Sequence, residues 1–325
     1  MGRIKVSVAI ITYNHEHYIE QAIRSVLEQN VPFSYELIIG DDASMDKTPD
    51  IIKKVYEEYP DIIVPILREK NIGMAKNSMD VIAKCKGEYI AFLEGDDYWI
   101  DREKLNKQVT FLDEHKDYSA YYHNARVING KDQVLYERKE GYCIAREYTV
   151  DEIQNFILPG QTSTLMSRNF YTEEEIYLSV VQGIKYTPLD RLVPIILLKY
   201  GKIYCDEATM SVYRYVLDGS SSWSSRNELQ KCFNYFIYFK NLVEMQQIGE
   251  KLGFQFDFKE KKAFFYGEAL YASLLRGKVV CILMCMLMIA STNKKLHLLF
   301  RGNRLFIRKI KWKIKYKIKK LGFNS

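Results

Sequence analysis

At 325 residues, 47% apolar and 27% charged, the chain can hold one large domain with an appendage, or two, and its composition excludes a disordered, collagenous or disulfide-scaffold protein. The net charge of +6 conceals a division: no Asp or Glu follows Glu268, whereas 14 of the 47 Lys and Arg do, leaving 33 basic against 41 acidic residues in 1–268, a net of −8. The longest apolar run, 279–290, falls short of the ~20 residues of a membrane span. Six scattered cysteines without a Cys-x-x-Cys pair, and an opening with no basic-then-apolar leader, point to a reducing cytoplasm.

In chain order, residues 6–11 form a β-branched run ending at Thr12-Tyr13-Asn14, which predicts a buried strand. Ile19, Ala22, Ile23, Val26 and Leu27 recur at helical spacing and predict an amphipathic helix stopping near Pro32. A second strand is expected at 36–40, and a helix opened by Thr48-Pro49 carries Ile51, Ile52, Val55, Tyr56 and Tyr59 on one face. Strand 62–67, helix 74–85 and strand 89–93 follow. Such alternation predicts an α/β fold: a mainly parallel sheet with helices on both faces, whose ligands bind beyond the carboxyl ends of the strands. Thr12–Asn14, Asp41-Asp42, 68–73 and Glu94–Asp97 all fall on that edge, and their convergence says more than any one of them.

Beyond Trp99 the pattern is mixed. Leu105, Val109 and Leu112 continue a helix, 120–122 and 127–128 read as short strands, and 161–166 as another. A helix at 189–200 and a strand at 211–215 precede a polar linker, 218–222, and two helical segments near 229–245 and 261–275. Residues 310–318 alternate with period two and so fit an edge strand. Yet Ile307, Ile310, Ile314, Ile318 and Leu321 also form one helical stripe amid lysines. The helical reading is favoured, as a basic amphipathic segment on an anionic membrane face, against a solvated or disordered tail. No nucleic-acid module accompanies it, so no nucleic-acid partner is expected. The organisation expected is thus 1–217 for ligand binding and catalysis, 218–293 helical, and 294–325 a membrane-surface tail at the inner face of the cell membrane.

Adjacent carboxylates at strand ends repel unless a cation or hydrogen-bonding ligand lies between them. Asp41-Asp42 and Leu93-Glu94-Gly95-Asp96-Asp97 therefore suggest one site for a metal and a phosphorylated ligand. Together with residues 7–14, 39–46, Asn71-Ile72-Gly73 with Asn77, and 87–99, they resemble the nucleotide-sugar-binding half of family two inverting glycosyltransferases of the bacterial surface-polysaccharide type, with the GT-A fold. The likeness is dense over the first 100 residues and weaker to about residue 215.

That resemblance implies transfer of a sugar from a nucleoside diphosphate donor, UDP-linked, to a hydroxyl of a glycan or lipid-linked acceptor. It implies a Mg²⁺ or Mn²⁺ ion, held by Asp97 and Asp96, that neutralises the departing diphosphate. Glu94 occupies a position usually held by Asp, and Asp42 matches the carboxylate that accepts the imide N–H of the base. Thr12, Asn14, Asp41, Asn71, Gly73 and Asn77 are expected around the nucleotide; Asn14 equally suits a helix cap. Asp190 in Tyr186–Arg191 matches the general base that deprotonates the acceptor, though an acid after Pro188 also suits a helix start. Many relatives carry Tyr-Arg-x-His where this chain has Tyr213-Arg214-Tyr215-Val216. His15 and His17 are read as polar residues of the nucleotide loop rather than as a metal pair. Residues 161–164 fit a sugar-facing segment or an ordinary Thr-rich strand. The alternative to an enzyme is a non-catalytic nucleotide-sugar-binding scaffold of a polysaccharide assembly complex.

Overall fold

Strands buried on both faces need near-continuous apolar residues, and β1 (Val6–Thr12), β2 (Tyr35–Asp41) and β4 (Tyr89–Glu94) have them. The computed structural model describes residues 3–142, 144–171, 184–215, 231–276, 285, 288 and 301–309. Within it, β3 (Ile63–Leu67), β2, β1 and β4 run parallel in that order. Beyond β4 the sheet becomes mixed. It continues through β9 (Met166–Arg168), β6 (Tyr118–Asn129), β10 (Lys202–Tyr215) and β5 (Tyr98–Trp99), with β6 and β10 parallel and the other neighbours antiparallel. Two short strands, β7 (Val134–Tyr136) and β8 (Arg146–Tyr148), flank β6 and β10.

Alternation along the strands assigns the helices to faces. Val8, Ile10, Leu37, Ile39, Ala91 and Leu93 share one core with Ile19, Ile23 and Val26 of α1 (Ile19–Leu27), Ile52 and Val55 of α2 (Thr48–Glu58), and Leu105, Val109 and Leu112 of α4 (Lys104–Glu114). Ala9, Ile38 and Phe92 point the other way. On that side α3 (Met74–Ile82) approaches so closely that a Cβ on Gly40 would lie 2.4 Å from Val81 Cγ2. Helices α5 (Val150–Asn155) and α6 (Leu189–Tyr200) complete this unit.

Three expectations change in detail. The two short strands expected at 120–122 and 127–128 are one 12-residue strand, because His123 and Asn124 are buried polar residues that break the apolar pattern without breaking the ladder. For the same reason β10 begins at Lys202, not 211, and continues past bulges around Thr209. The segment 161–166 is largely a 3-10 turn at Thr162–Thr164, and only Met166 onward joins the sheet.

The chain divides into two compact units: 1–183 with 189–225, and 184–188 with 226–325. In the second, α7 (Lys231–Leu252) and α8 (Lys259–Arg276) pack through Phe236, Phe239, Ala263, Tyr266 and Ala269. Glu244 of α7 accepts the backbone N–H groups of Lys185, Tyr186 and Thr187 and the Thr187 hydroxyl. Residues 301–309 are helical. Arg301 pairs with Glu260 and Lys309 with Glu268, so this part of the expected membrane tail spends two of its charges on α8. The linker 218–222 and residues 310–325 lie outside the described residues. Among those described, no helix is long and apolar enough to cross a membrane.

Candidate active site

Register brings the two acid clusters level. Thr12 of β1 stands opposite Asp41 of β2, and Ile11 opposite Glu94 of β4. The ladder continues one step beyond the strands: Asp42 N–H donates to the Thr12 carbonyl (3.0 Å) and Gly95 N–H to that of Ile11 (2.9 Å). The carboxyl ends of three parallel strands thus present Thr12, Asp41, Asp42 and Glu94–Asp97 along one edge.

On the β2 side the expected nucleotide residues largely hold one another. Asp41 is buried and accepts the Ser44 hydroxyl and N–H, while burial pushes its carboxyl up. Asp42 is also buried, and its two oxygens receive the N–H groups of Ile72 (2.8 Å) and Gly73 (2.9 Å). Asn71 donates to the Asp42 carbonyl, and Gly73 has φ 87, a conformation that favours glycine. Asn77 is buried too, donating to the Gly40 carbonyl and accepting from Arg68 Nε, while Arg68 also pairs with Asp80. Asp42 and Asn77 therefore shape the wall of the crevice. Asn14 does not cap α1: its side chain accepts Met45 N–H, its own N–H donates to Ser44, and its φ is 56. It ties the first loop to the second.

The β4 side is electrostatically strained. Asp97 is 1% exposed; its Oδ1 accepts the backbone N–H of Arg214 (2.9 Å), while its Oδ2 is buried with no hydrogen-bond partner. Burial, then the charges of Asp96 and Glu94, hold its carboxyl well above the ordinary range. Glu94 is pushed up to about 8 by burial, then by Asp96 and Asp190. Asp190 opens α6, and burial raises it as well; the charge of Arg191 and the N–H groups of Arg191 and its own residue pull the other way. Its Oδ1 is buried and unpartnered. One carboxylate thus lies at the helix start and keeps an oxygen without a partner. Among the described residues, no Lys or Arg side chain makes an ion pair with Glu94, Asp96, Asp97 or Asp190, although the charge of Arg191 favours the ionised form of Asp190.

Sequence reasoning missed three residues here. Arg214, noted only for lacking a histidine beside it, is 2% exposed and braces the acidic loop: its Nε donates to the Asp96 carbonyl (3.0 Å) and its Nη2 to Gln21 (3.0 Å). It also pairs with Asp132 and lies over the Tyr18 ring at 4.3 Å. His15 Nε2 lies 3.8 Å from Asp96 Oδ2, while His17 is exposed and faces Glu16. Tyr142 donates to Gln161 and sits close enough to Asp190, Asp97 and Glu94 that their charges add to burial in raising its phenol. Of the segment 161–164, Ser163 is buried, and its hydroxyl lies near enough to Asp97 to favour the ionised carboxyl without reaching hydrogen-bond geometry, which sets that turn beside the acidic loop rather than in an ordinary strand. Arg214 was legible only as part of a Tyr-Arg-x-His-like segment that lacks the His, and His15 only as a polar loop residue.

The acid-tipped parallel half-sheet, followed by a mixed half that returns β10 to the acidic loop, defines a GT-A-type α/β domain. Residues 7–177 match the model of Glycosyl transferase family 2, and the chain belongs to that family. An uncharacterised protein of Mycobacterium tuberculosis is 37% identical over 211 residues, 64% of this chain and 58% of that protein, so the chain spans less than two thirds of this relative's length. The poly(ribitol-phosphate) beta-N-acetylglucosaminyltransferase TarS of Staphylococcus aureus is 34% identical over 113 residues, 34% of this chain and 19% of TarS. The fold matches the solved structure of TarS residues 1–349 in complex with UDP-GlcNAc at TM-score 0.61 and 18% identity, covering 93% of this chain and 89% of the other. It also matches a mannosyltransferase of Pyrobaculum calidifontis in complex with GDP-Man and Mn²⁺, at TM-score 0.51 and 14% identity over 94% and 86% of the two chains.

Proposed function

We propose that this chain is an inverting glycosyltransferase that moves a sugar from a nucleoside diphosphate donor to an acceptor hydroxyl with the help of a divalent cation. The observation that carries the reading is the cluster of carboxylates formed by Glu94, Asp96 and Asp97 at a strand end and Asp190 at a helix start, with buried unpartnered oxygens on Asp97 and Asp190. Like charges held together in a dry crevice indicate a missing positive partner. The donor set fits one: Asp96 and Asp97 would hold Mg²⁺ or Mn²⁺. Among the described residues no three His, Cys, Asp or Glu side chains stand preassembled around one ion, which suits a cation whose shell closes only when a donor brings its phosphate oxygens. When bound, the ion supplies positive charge to the departing diphosphate.

The protein's own groups do the rest. The paired loops 12–15 and 41–46, locked together through Asn14 and Ser44, form the floor against which a nucleotide lies. Arg214 fixes Asp96 and Asp97 relative to that floor. Asp190 Oδ1 accepts the acceptor's proton as its oxygen attacks the anomeric carbon, and the elevated affinity of this carboxyl for protons makes it a stronger base. The S. aureus structure with UDP-GlcNAc favours a UDP-linked donor. The basic stretch 294–325 on an otherwise acidic chain suits a peripheral site at the inner face of the membrane, beside a lipid-linked or glycan acceptor.

Asp190→Asn tests the chemistry. It should lower transfer about 10²- to 10⁴-fold while donor binding, measured by calorimetry, stays intact; equal loss of binding and turnover would assign Asp190 a purely structural part. Removing residues 310–325 should release the protein from vesicles containing anionic lipid, and unchanged sedimentation would refute the membrane role.

A further inference from the structure

We infer that His15 is a nitrogen ligand of the divalent cation, paired with Asp96 across the ends of β1 and β4. The inference rests on the metal-assisted reading above and names a ligand that the acidic motif does not contain.

The ring is built in place. The backbone N–H of His15 donates to the buried Thr48 hydroxyl (2.9 Å), which fixes the residue at the mouth of the first loop. Its Nδ1 lies 3.2 Å from Thr12 Oγ1, and its side chain is 15% exposed. The acidic loop closes on it from above: a Cβ on Gly95 would stand 2.5 Å from Thr12 Oγ1 and 2.9 Å from His15 Nδ1, so only glycine lets β4 end this near the imidazole. Nε2 is left facing the Asp96 carboxylate.

The separation there is informative. At 3.8 Å, Nε2 and Asp96 Oδ2 are too far apart for a hydrogen bond, which has weakened away by about 3.5 Å. With bonds of about 2.1 Å a single ion can bridge atoms up to about 4.2 Å apart, so the two groups need only a small side-chain adjustment to share one. In the tautomer whose Nδ1–H donates to the Thr12 hydroxyl, Nε2 presents a lone pair toward the Asp96 carboxylate. A cation between the two would turn that tautomer's facing lone pairs into a pair of ligands. Asp96 also adds its charge to Glu94 and Asp97, so every neighbour of this gap on the acidic loop favours a positive occupant. His17, two residues on, takes no part: its ring is exposed and faces Glu16.

A nitrogen ligand has a consequence for the choice of ion. Mg²⁺ demands oxygen and keeps its water reluctantly exchanged, whereas later divalent ions accept imidazole more readily. His15 therefore tilts the site toward Mn²⁺ over Mg²⁺.

The experiment is pulsed electron paramagnetic resonance on the full chain loaded with Mn²⁺ and UDP, with GDP in parallel, together with calorimetric Mn²⁺ affinities. The expected result is nitrogen modulation of the Mn²⁺ echo that is present in the wild type and in His17→Ala, and absent in His15→Ala and His15→Gln. Mn²⁺ affinity should fall roughly 10- to 100-fold in both His15 variants, with a smaller fall for Mg²⁺. Thermal unfolding of the metal-free variants checks that the loop still folds, and His15→Gln, which keeps a polar side chain, guards against collapse in the alanine form. Mn²⁺ bound with no nitrogen signature and unchanged affinity in both variants would overturn the inference, make His15 a partner of Asp96 alone and leave the metal reading standing. Failure of Mn²⁺ to bind the wild type, with or without nucleotide, would overturn the metal reading and this inference together.

Discussion

Arg214 is the side chain on which the geometry of the acidic loop depends, and its replacement gives a prediction with a calculable size. Arg214→Met keeps a flexible stem of similar reach and removes the guanidinium. Two bonds from a charged donor are lost, to the Asp96 carbonyl and to Gln21, worth about 1.5 kcal/mol each at the low end for charged hydrogen bonds. Stacking on Tyr18 adds about 1 kcal/mol. The ion pair with Asp132 adds little, because that carboxylate is 70% exposed and returns to water. Non-additivity trims the sum to about 2–4 kcal/mol, a fall in melting temperature of roughly 5–10 °C for a unit of this size. Displacing residues 94–97 by even an ångström should also cost about 100-fold in transfer. Arg214→Lys separates the causes: it preserves the charge but cannot reach Asp96, Gln21 and Asp132 together. Calorimetric melting with a donor-turnover assay reads both effects. If the lysine variant matches the wild type in both, the forked contacts are not what hold the loop, and the reasoning fails.

Two further outcomes follow from the same cluster. Asp97→Asn keeps the oxygen that accepts Arg214 N–H and removes a buried charge, so the metal-free protein should melt a few degrees higher while losing its stabilisation by Mn²⁺; a lower melting temperature without metal would contradict the assigned repulsion. Glu94, moved from its ordinary 4.5 to about 8, binds a proton more tightly in the folded state than in the unfolded one. The metal-free fold should therefore lose stability as pH rises through that window and keep it below, and saturating Mn²⁺ should flatten the slope. Melting curves taken across the window with and without Mn²⁺ would expose a flat metal-free profile, which would refute the shift.

The first hundred residues were legible because their strands are buried on both faces and their helices amphipathic, so periodicity and burial agree. Legibility declined where polar residues are buried. His123 and Asn124 split β6 into two apparent pieces, and Thr209 and Ser211 hid the start of β10. The site residues divide the same way. Carboxylates at strand ends announce themselves through spacing, and Glu94, Asp96, Asp97 and Asp190 indeed gather in one crevice. What each one touches depends on chain segments far away in sequence. Asp42 and Asn77 proved to be fastened to 72–73 and to Gly40, and Arg214 reaches the acidic loop only through the pairing of β10 with β5. His15 lacked any sequence signal beyond its place in the first loop. Its tie to Asp96 arises from the registers that bring β1 and β4 to the same height.

The most direct test of the central claim is anomalous diffraction at the manganese edge from crystals grown with UDP and Mn²⁺. A single strong peak about 2 Å from an oxygen of Asp96 or Asp97, touching the diphosphate, is the predicted result. A diphosphate bound at the ends of β1, β2 and β4 with no manganese beside residues 94–97 would contradict it.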